Sequence, residues 1–229
     1  MGEMNRRRFV KYAAGAGALV TVTVVSVYLM RASGWGFLRA RLPPGQEEVS
    51  VLQFSTVGPV PEISTDEWRL DVAGEVENPL ELAWKDLVAL PKASRASDLH
   101  CVAGWSKMGN LWEGVAFKEI AKLAHPTASA KYATIESYGD VGSGNEIYVT
   151  QIPLKDVLHD NVLFAYSLDG KQLSPEHGGP VRLIVPDRYG YKSAKWVKRV
   201  TFSEKQELGY YERRGYSTTA DPWTEDRLA

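Results

Sequence analysis

Between residues 68 and 202 the apolar runs are short, and glycine, proline or an Asn/Asp turn closes most of them. Runs of that length cannot make long helices. Their composition and spacing read as strands at 68–73, 96–102, 133–138, 146–152, 162–168, 181–185 and 196–202. Gly74 to Pro79 and Asp169-Gly170 supply turns, and Pro186 stops the run at 181–185. That run is continuously apolar apart from Arg182, which predicts a central strand, and 196–202 is expected to close the sheet. Apolar residues at 117, 120, 121 and 124 share one helix face. Residues 112–115 lead into that helix. Residues 82–90, stopped by Pro91, predict a second short helix, and 154–158 a single helical turn. A first apolar stretch at 49–54 precedes a Gly58-Pro-Val-Pro61 loop, and 139–144 is a further loop. The sum is a β-rich α+β domain. The stretch from 209 to 223 is too aromatic to stay loose and is expected to fold back on the domain.

The chain has 229 residues, 44% of them hydrophobic, enough for one sizeable core. Its net charge of −1 is unevenly spread. Residues 1–41 carry seven Lys/Arg and one acid, so 27 and 28 become 20 basic and 27 acidic residues beyond them, near −7. Nothing in that balance suggests a nucleic-acid surface. The single cysteine excludes an intrachain disulfide. There are no internal repeats and no glycine-rich phosphate loop.

The N-terminus reads as a leader. Asn5-Arg-Arg-Arg-Phe-Val-Lys11 resembles the twin-arginine export signal, with Val10 in place of the usual Leu. The uncharged run 12–30 would span roughly 28 Å as a helix, enough to cross a bilayer core. Good small-residue cleavage sites are missing just after Met30. The expectation is an export signal and anchor at 1–33, a tether at 34–48 and a domain at 49–229, with the domain on the outer face of the cytoplasmic membrane.

Three stretches carry candidate chemistry. Asp98-Leu-His-Cys-Val-Ala-Gly-Trp-Ser106 sets the lone thiol of Cys101 where a strand breaks into a Gly-Trp-Ser turn. A thiolate there is a soft metal ligand, although a free cysteine is equally a small buried apolar residue. In His177-Gly-Gly-Pro-Val-Arg182 the glycine pair admits close approach of a ligand, and Arg182 offers a rigid fork for an anion. In Tyr189-Gly-Tyr-Lys-Ser-Ala-Lys-Trp196 the lysines offer point charges. Taken singly, His177 fits a turn, Arg182 a surface ion pair, and 189–195 a solvated hairpin.

Together and in this order, the stretches resemble the molybdopterin-binding oxidoreductase domain shared by sulfite oxidase and the bacterial methionine-sulfoxide reductase catalytic subunit. The resemblance covers roughly residues 50–229. It implies the sulfite-oxidase-like fold and Mo-molybdopterin as cofactor, with Cys101 as the protein thiolate on molybdenum. It further implies that His177, Arg182, Ser193, Ala194 and Lys195 bind the cofactor, with Ser137 near a cofactor-binding position. Trp105 and Tyr189 are expected as walls of the catalytic pocket. The arginine pair that sulfite oxidases carry after their cysteine is replaced by Gly104-Trp-Ser106. The reductase's Asn-rich loop is also missing, with Phe54-Ser-Thr-Val-Gly58 in its place, so the N-terminal cofactor contacts stay unassigned.

The function implied is two-electron oxygen-atom transfer on a small molecule, reduction of a sulfoxide or similar oxide first and sulfite oxidation second. With no Cys-x-x-Cys-His haem site, electrons would pass to or from a separate protein, a membrane haem protein or a soluble cytochrome. Two other classes stand beside it: a cysteine hydrolase pairing Cys101 with His177, and a domain without catalysis.

Overall fold

The short runs pair into two sheets that share one core. The computed structural model describes residues 42–142 and 146–229; the leader at 1–33, the tether up to residue 41 and part of the 139–144 loop lie outside them. In chain order the strands and α-helices are β1 (Glu47–Val49), β2 (Arg69–Gly74), β3 (Leu80–Ala83), α1 (Trp84–Val88), β4 (Lys92–His100), β5 (Trp105–Ala116), α2 (Phe117–Ala124), β6 (Tyr132–Ser137), β7 (Val149–Pro153), α3 (Leu154–Val157), β8 (Leu163–Leu168), β9 (Lys171–Gln172), β10 (Arg182–Ile184) and β11 (Val197–Ser203). The β-rich α+β class is the one observed. Among the described residues no helix is long and apolar enough to cross a membrane.

In the first sheet, β5 is the spine. It carries antiparallel β4 along one edge. Along the other it carries parallel β1 at its start and antiparallel β8 at its end. Short β9 and β10 pair with β8. The second sheet has the order β3-β2-β11-β6-β7, with β2 and β11 parallel. Leu70 and Val72 of β2 are buried while Arg69 is exposed, the period-two pattern of a strand with one face in the core. Phe117 joins the layers: its ring stacks on Phe164 of β8 at 5.1 Å and meets Phe202 of β11 edge-on at 6.1 Å. Ile120, Ala121 and Ala124 complete the buried face of α2. Each large side chain so buried contributes about 1.5–3 kcal/mol.

Four expectations need correction. Residues 181–185 supply an outer strand, because β10 pairs only with β8; its other side is covered by the 193–194 segment, where Leu183 N donates to Ala194 O at 2.8 Å. Residues 196–202 do not close a sheet; β11 is the middle of its sheet, between β2 and β6. The stretch 112–115 does lead into α2, as the end of β5; but Trp105-Ser106 opens that strand, so the turn after Cys101 is Val102-Ala-Gly104. The domain also begins before residue 49: Gln46 is buried and β1 is part of the sheet, which shortens the tether.

Candidate active site

Cys101 sits one residue past β4, at the tip of the β4–β5 hairpin. The ladder loses register between Ser97 and Leu99, where Asp98 accepts a hydrogen bond from Gly109 N at 2.7 Å. Such an irregularity bends a strand and re-aims the residues beyond it. The turn closes through Gly104 N donating to Cys101 O at 3.0 Å and Cys101 N donating to Trp105 O at 2.8 Å. Gly104 has φ +102°, open to glycine and strained for other residues. The thiol is half-buried, and burial pushes its pKa up. A thiol so disfavoured as a free anion is no activated nucleophile. His177 offers no remedy: its Nδ1 meets Ser174 Oγ at 3.0 Å, and its Nε2 meets Leu52 O at 3.2 Å, a carbonyl that can only accept. Both ring nitrogens are thus engaged away from Cys101, which removes the support for a cysteine hydrolase.

The opposite wall is cationic. Arg182 is buried, so the surface ion pair is excluded. Nη1 donates to His177 O at 2.9 Å and Nη2 to Ser193 O at 3.2 Å, while Nε has no partner among the described residues. Burial lowers its pKa to about 10. Lys195 donates to Ser55 O at 2.6 Å and Glu176 O at 2.7 Å, and burial, with Arg182 adding repulsion, lowers its pKa to about 7. Neither cation has a carboxylate within ion-pair distance among the described residues. Two neighbouring cations left in this state form a site for an anion. Gly178 makes their approach possible: a Cβ there would lie 2.9 Å from Lys195 Cβ and 3.0 Å from Arg182 Cβ. The Gly-Gly pair therefore serves the protein's own packing, since a Cβ on Gly179 would meet Leu173 O at 2.3 Å.

Between these walls lies an open cleft whose empty space, adjoining solvent included, is about 940 Å³. Cys101, Trp105, Ser137, His177, Arg182, Ser193, Ala194 and Lys195 all line it. Ser137 Oγ donates to Lys195 O at 2.6 Å and Ser193 Oγ accepts from Val185 N at 2.9 Å, so both hydroxyls also hold the cationic segment in place. Tyr189 does not line the cleft. It is fully buried elsewhere, and the 3₁₀ turn Gly190–Lys192 brings Tyr191 to the wall instead. The 52–59 loop, whose residue types assign it no cofactor contact, forms one side of the cleft. Its backbone carbonyls do the holding, and carbonyls leave no trace in residue type.

The donors suit a metal that arrives with its own chelate. Among the described residues no three His, Cys, Asp or Glu side chains cluster as metal ligands. Cys101 would contribute one soft sulfur, and a dithiolene cofactor brings further ones. Its anionic end would meet the cationic wall.

The comparisons with known proteins agree. Residues 57–211 match the family described as oxidoreductase molybdopterin binding domain. The chain is 36% identical over 189 residues to the oxidoreductase YuiH of Bacillus subtilis (strain 168), covering 82% of this chain and 92% of that protein. It is 29% identical over 229 residues to the protein-methionine-sulfoxide reductase catalytic subunit MsrP of Campylobacter jejuni, covering 91% of this chain and 76% of the relative. Among solved structures, the sulfane dehydrogenase SoxCD from Paracoccus pantotrophus has a TM-score of 0.59 at 24% identity, covering 68% of this chain and 42% of that one. That last likeness is one of fold.

Proposed function

Because the chain belongs to the oxidoreductase molybdopterin-binding domain family, with a sulfite-oxidase-like fold and Mo-molybdopterin as its cofactor, we propose that it transfers an oxygen atom from a small neutral oxide of the sulfoxide kind. The observation that carries this reading is the placement of charge. Arg182 and Lys195 are the only Lys or Arg among the described residues lining the cleft. With both committed to the cofactor's anionic end, no cation remains for an anionic substrate such as sulfite. The exposed Asp140 on the lining would repel one. A relative named for methionine-sulfoxide reduction supports the same substrate class.

In this reading Cys101 would give up its proton on binding and would hold molybdenum as thiolate. Arg182 would grip the cofactor with its fork and Lys195 with a point charge. Ser137, Ser193 and Ala194 shape the backbone around them, His177 ties the 52–59 loop to the cationic wall, and Trp105 lines the cleft beside the cysteine turn. When bound, the cofactor supplies a metal that alternates between oxidation states two electrons apart. The protein binds, orients and excludes water around it. The missing haem-attachment motif supports electron supply by a separate protein, a membrane haem protein or a soluble cytochrome. The leader supports an exported form, tethered by its N-terminus. Recovery in the soluble cytoplasmic fraction would overturn that location.

Elemental analysis and turnover of Cys101→Ser test the core of the reading. The mutant should lose molybdenum and drop at least about a hundredfold in sulfoxide reduction with a reduced viologen donor, since even residues behind a metal ligand are worth 10–100-fold. Undiminished activity would refute the assignment. A wild type that oxidises sulfite faster than it reduces sulfoxides would give the site to the alternative substrate.

A further inference from the structure

The turn that carries Cys101 is fastened from outside its own hairpin. Gln46 Nε2 donates to Cys101 O at 3.1 Å, and Glu47 N donates to Gly104 O at 2.9 Å. Arg227 reaches in from the far end of the sequence, with Nη1 donating to Val102 O at 2.8 Å and Nη2 to Gly45 O at 3.1 Å. Its guanidinium lies 5.7 Å from the centre of the Tyr189 ring. Tyr189 N in turn donates to Ala220 O at 2.8 Å. That gives the fully buried Tyr189 a place: it is a platform for the arginine rather than a wall of the cleft.

The amide of Gln46 is itself oriented. Ser106 Oγ donates to Gln46 Oε1 at 2.9 Å, which turns Nε2 toward the cysteine carbonyl. With the hydroxyl hydrogen spent there, His100 Nδ1, 2.7 Å away, is the donor to Ser106 Oγ. Gly45 admits the guanidinium. It has φ +63°, and a Cβ would come within 2.7 Å of Arg227 Nη2 and 2.4 Å of Glu225 Oε1.

We propose that Arg227, acting with Gln46, is a positioning residue for Cys101. The two-pronged bridge from Val102 O to Gly45 O, and the amide on the cysteine's own carbonyl, fix the backbone from which the sulfur enters the cleft. A lysine cannot span both carbonyls with a planar fork, so it restores the charge but only part of the geometry. The inference rests on Cys101 being the metal-binding thiol, and the test separates the two claims.

The full chain is made as wild type, Arg227→Gln, Arg227→Lys and Gln46→Leu. Amide hydrogen exchange is followed in cofactor-free protein, and the Mo(V) paramagnetic resonance signal and kcat in loaded protein. In Arg227→Gln and Gln46→Leu, exchange over residues 101–105 should speed up about tenfold with the rest of the two sheets unchanged. The Mo(V) signal should shift or broaden and kcat should fall at constant KM, with Arg227→Lys intermediate. Unchanged exchange at 101–105 in both variants overturns the positioning role whatever binds the metal. Faster exchange with an unchanged Mo(V) signal overturns it as well, because the turn would then move without consequence for the metal. A Mo(V) signal in Cys101→Ser identical to wild type sinks the ligand assignment instead and leaves the exchange result standing.

Discussion

Lys192 and Lys195 lie three residues apart on one segment and meet opposite fates. Lys192 is buried in an ion pair with Glu212 and also donates to Gln151 O at 3.0 Å. Burial lowers its pKa, and the Glu212 carboxylate works against that shift. Among the described residues Lys195 has two carbonyls and no carboxylate, beside an Arg182 that likewise lacks one. The first charge is answered from within the chain and pins the 210–216 segment to the domain. The second is unanswered and faces a cleft. A cation neutralised internally is part of the fold; one left without a counter-charge at a cavity wall is a place for something that binds.

That contrast can be broken in three ways. Glu212→Gln should have the largest effect, about 3–5 kcal/mol of stability by denaturant unfolding, because it leaves a buried ammonium uncompensated. A loss near zero would mean that the pair is not what anchors the segment. Arg182→Lys comes next. It should reduce molybdenum retained after gel filtration by about 10–100-fold with little change in stability, since charge survives but the fork does not. Equal retention would mean that a point charge at residue 182 serves as well as the fork.

The smallest effect is a slope with pH. Lys195 loses its proton near pH 7 in the cofactor-free protein, and a bound anion favours the protonated form. Below pH 7 the charge is already present. Above it, binding must take up a proton, and affinity falls by up to about tenfold per pH unit. Pterin fluorescence retained after dialysis between pH 6 and 9 measures this, and Lys195→Met should flatten the curve.

How much the sequence disclosed depended on what each residue answers to. Helix α2 was legible to the residue, because Phe117, Ile120, Ala121 and Ala124 are both its apolar spacing and its buried face. The Asp169-Gly170 turn was legible because both residues adopt positive φ, which few others favour. The start of β5 was hidden: Ser106 and Asn110 are buried polar residues, held by Ser106 Oγ donating to Gln46 Oε1 and Asn110 Nδ2 donating to Ser97 O, so in sequence they mimic a loop. The places of β10 and β11 were hidden too. An outer strand covered by a neighbouring segment is as apolar as a central one. The cleft followed the same rule. Its charged and sulfur-bearing residues stood out, while the 52–59 loop contributes backbone and Tyr189 took the wrong side of a tight turn.

The bond from Arg227 to Val102 spans 125 residues of sequence. A ribosome adding about 5–20 residues each second finishes that span many seconds after the thiol has emerged. On the proposed positioning role, a half-made polypeptide would not offer a settled sulfur to a metal, and loading would wait until residue 227 is in place.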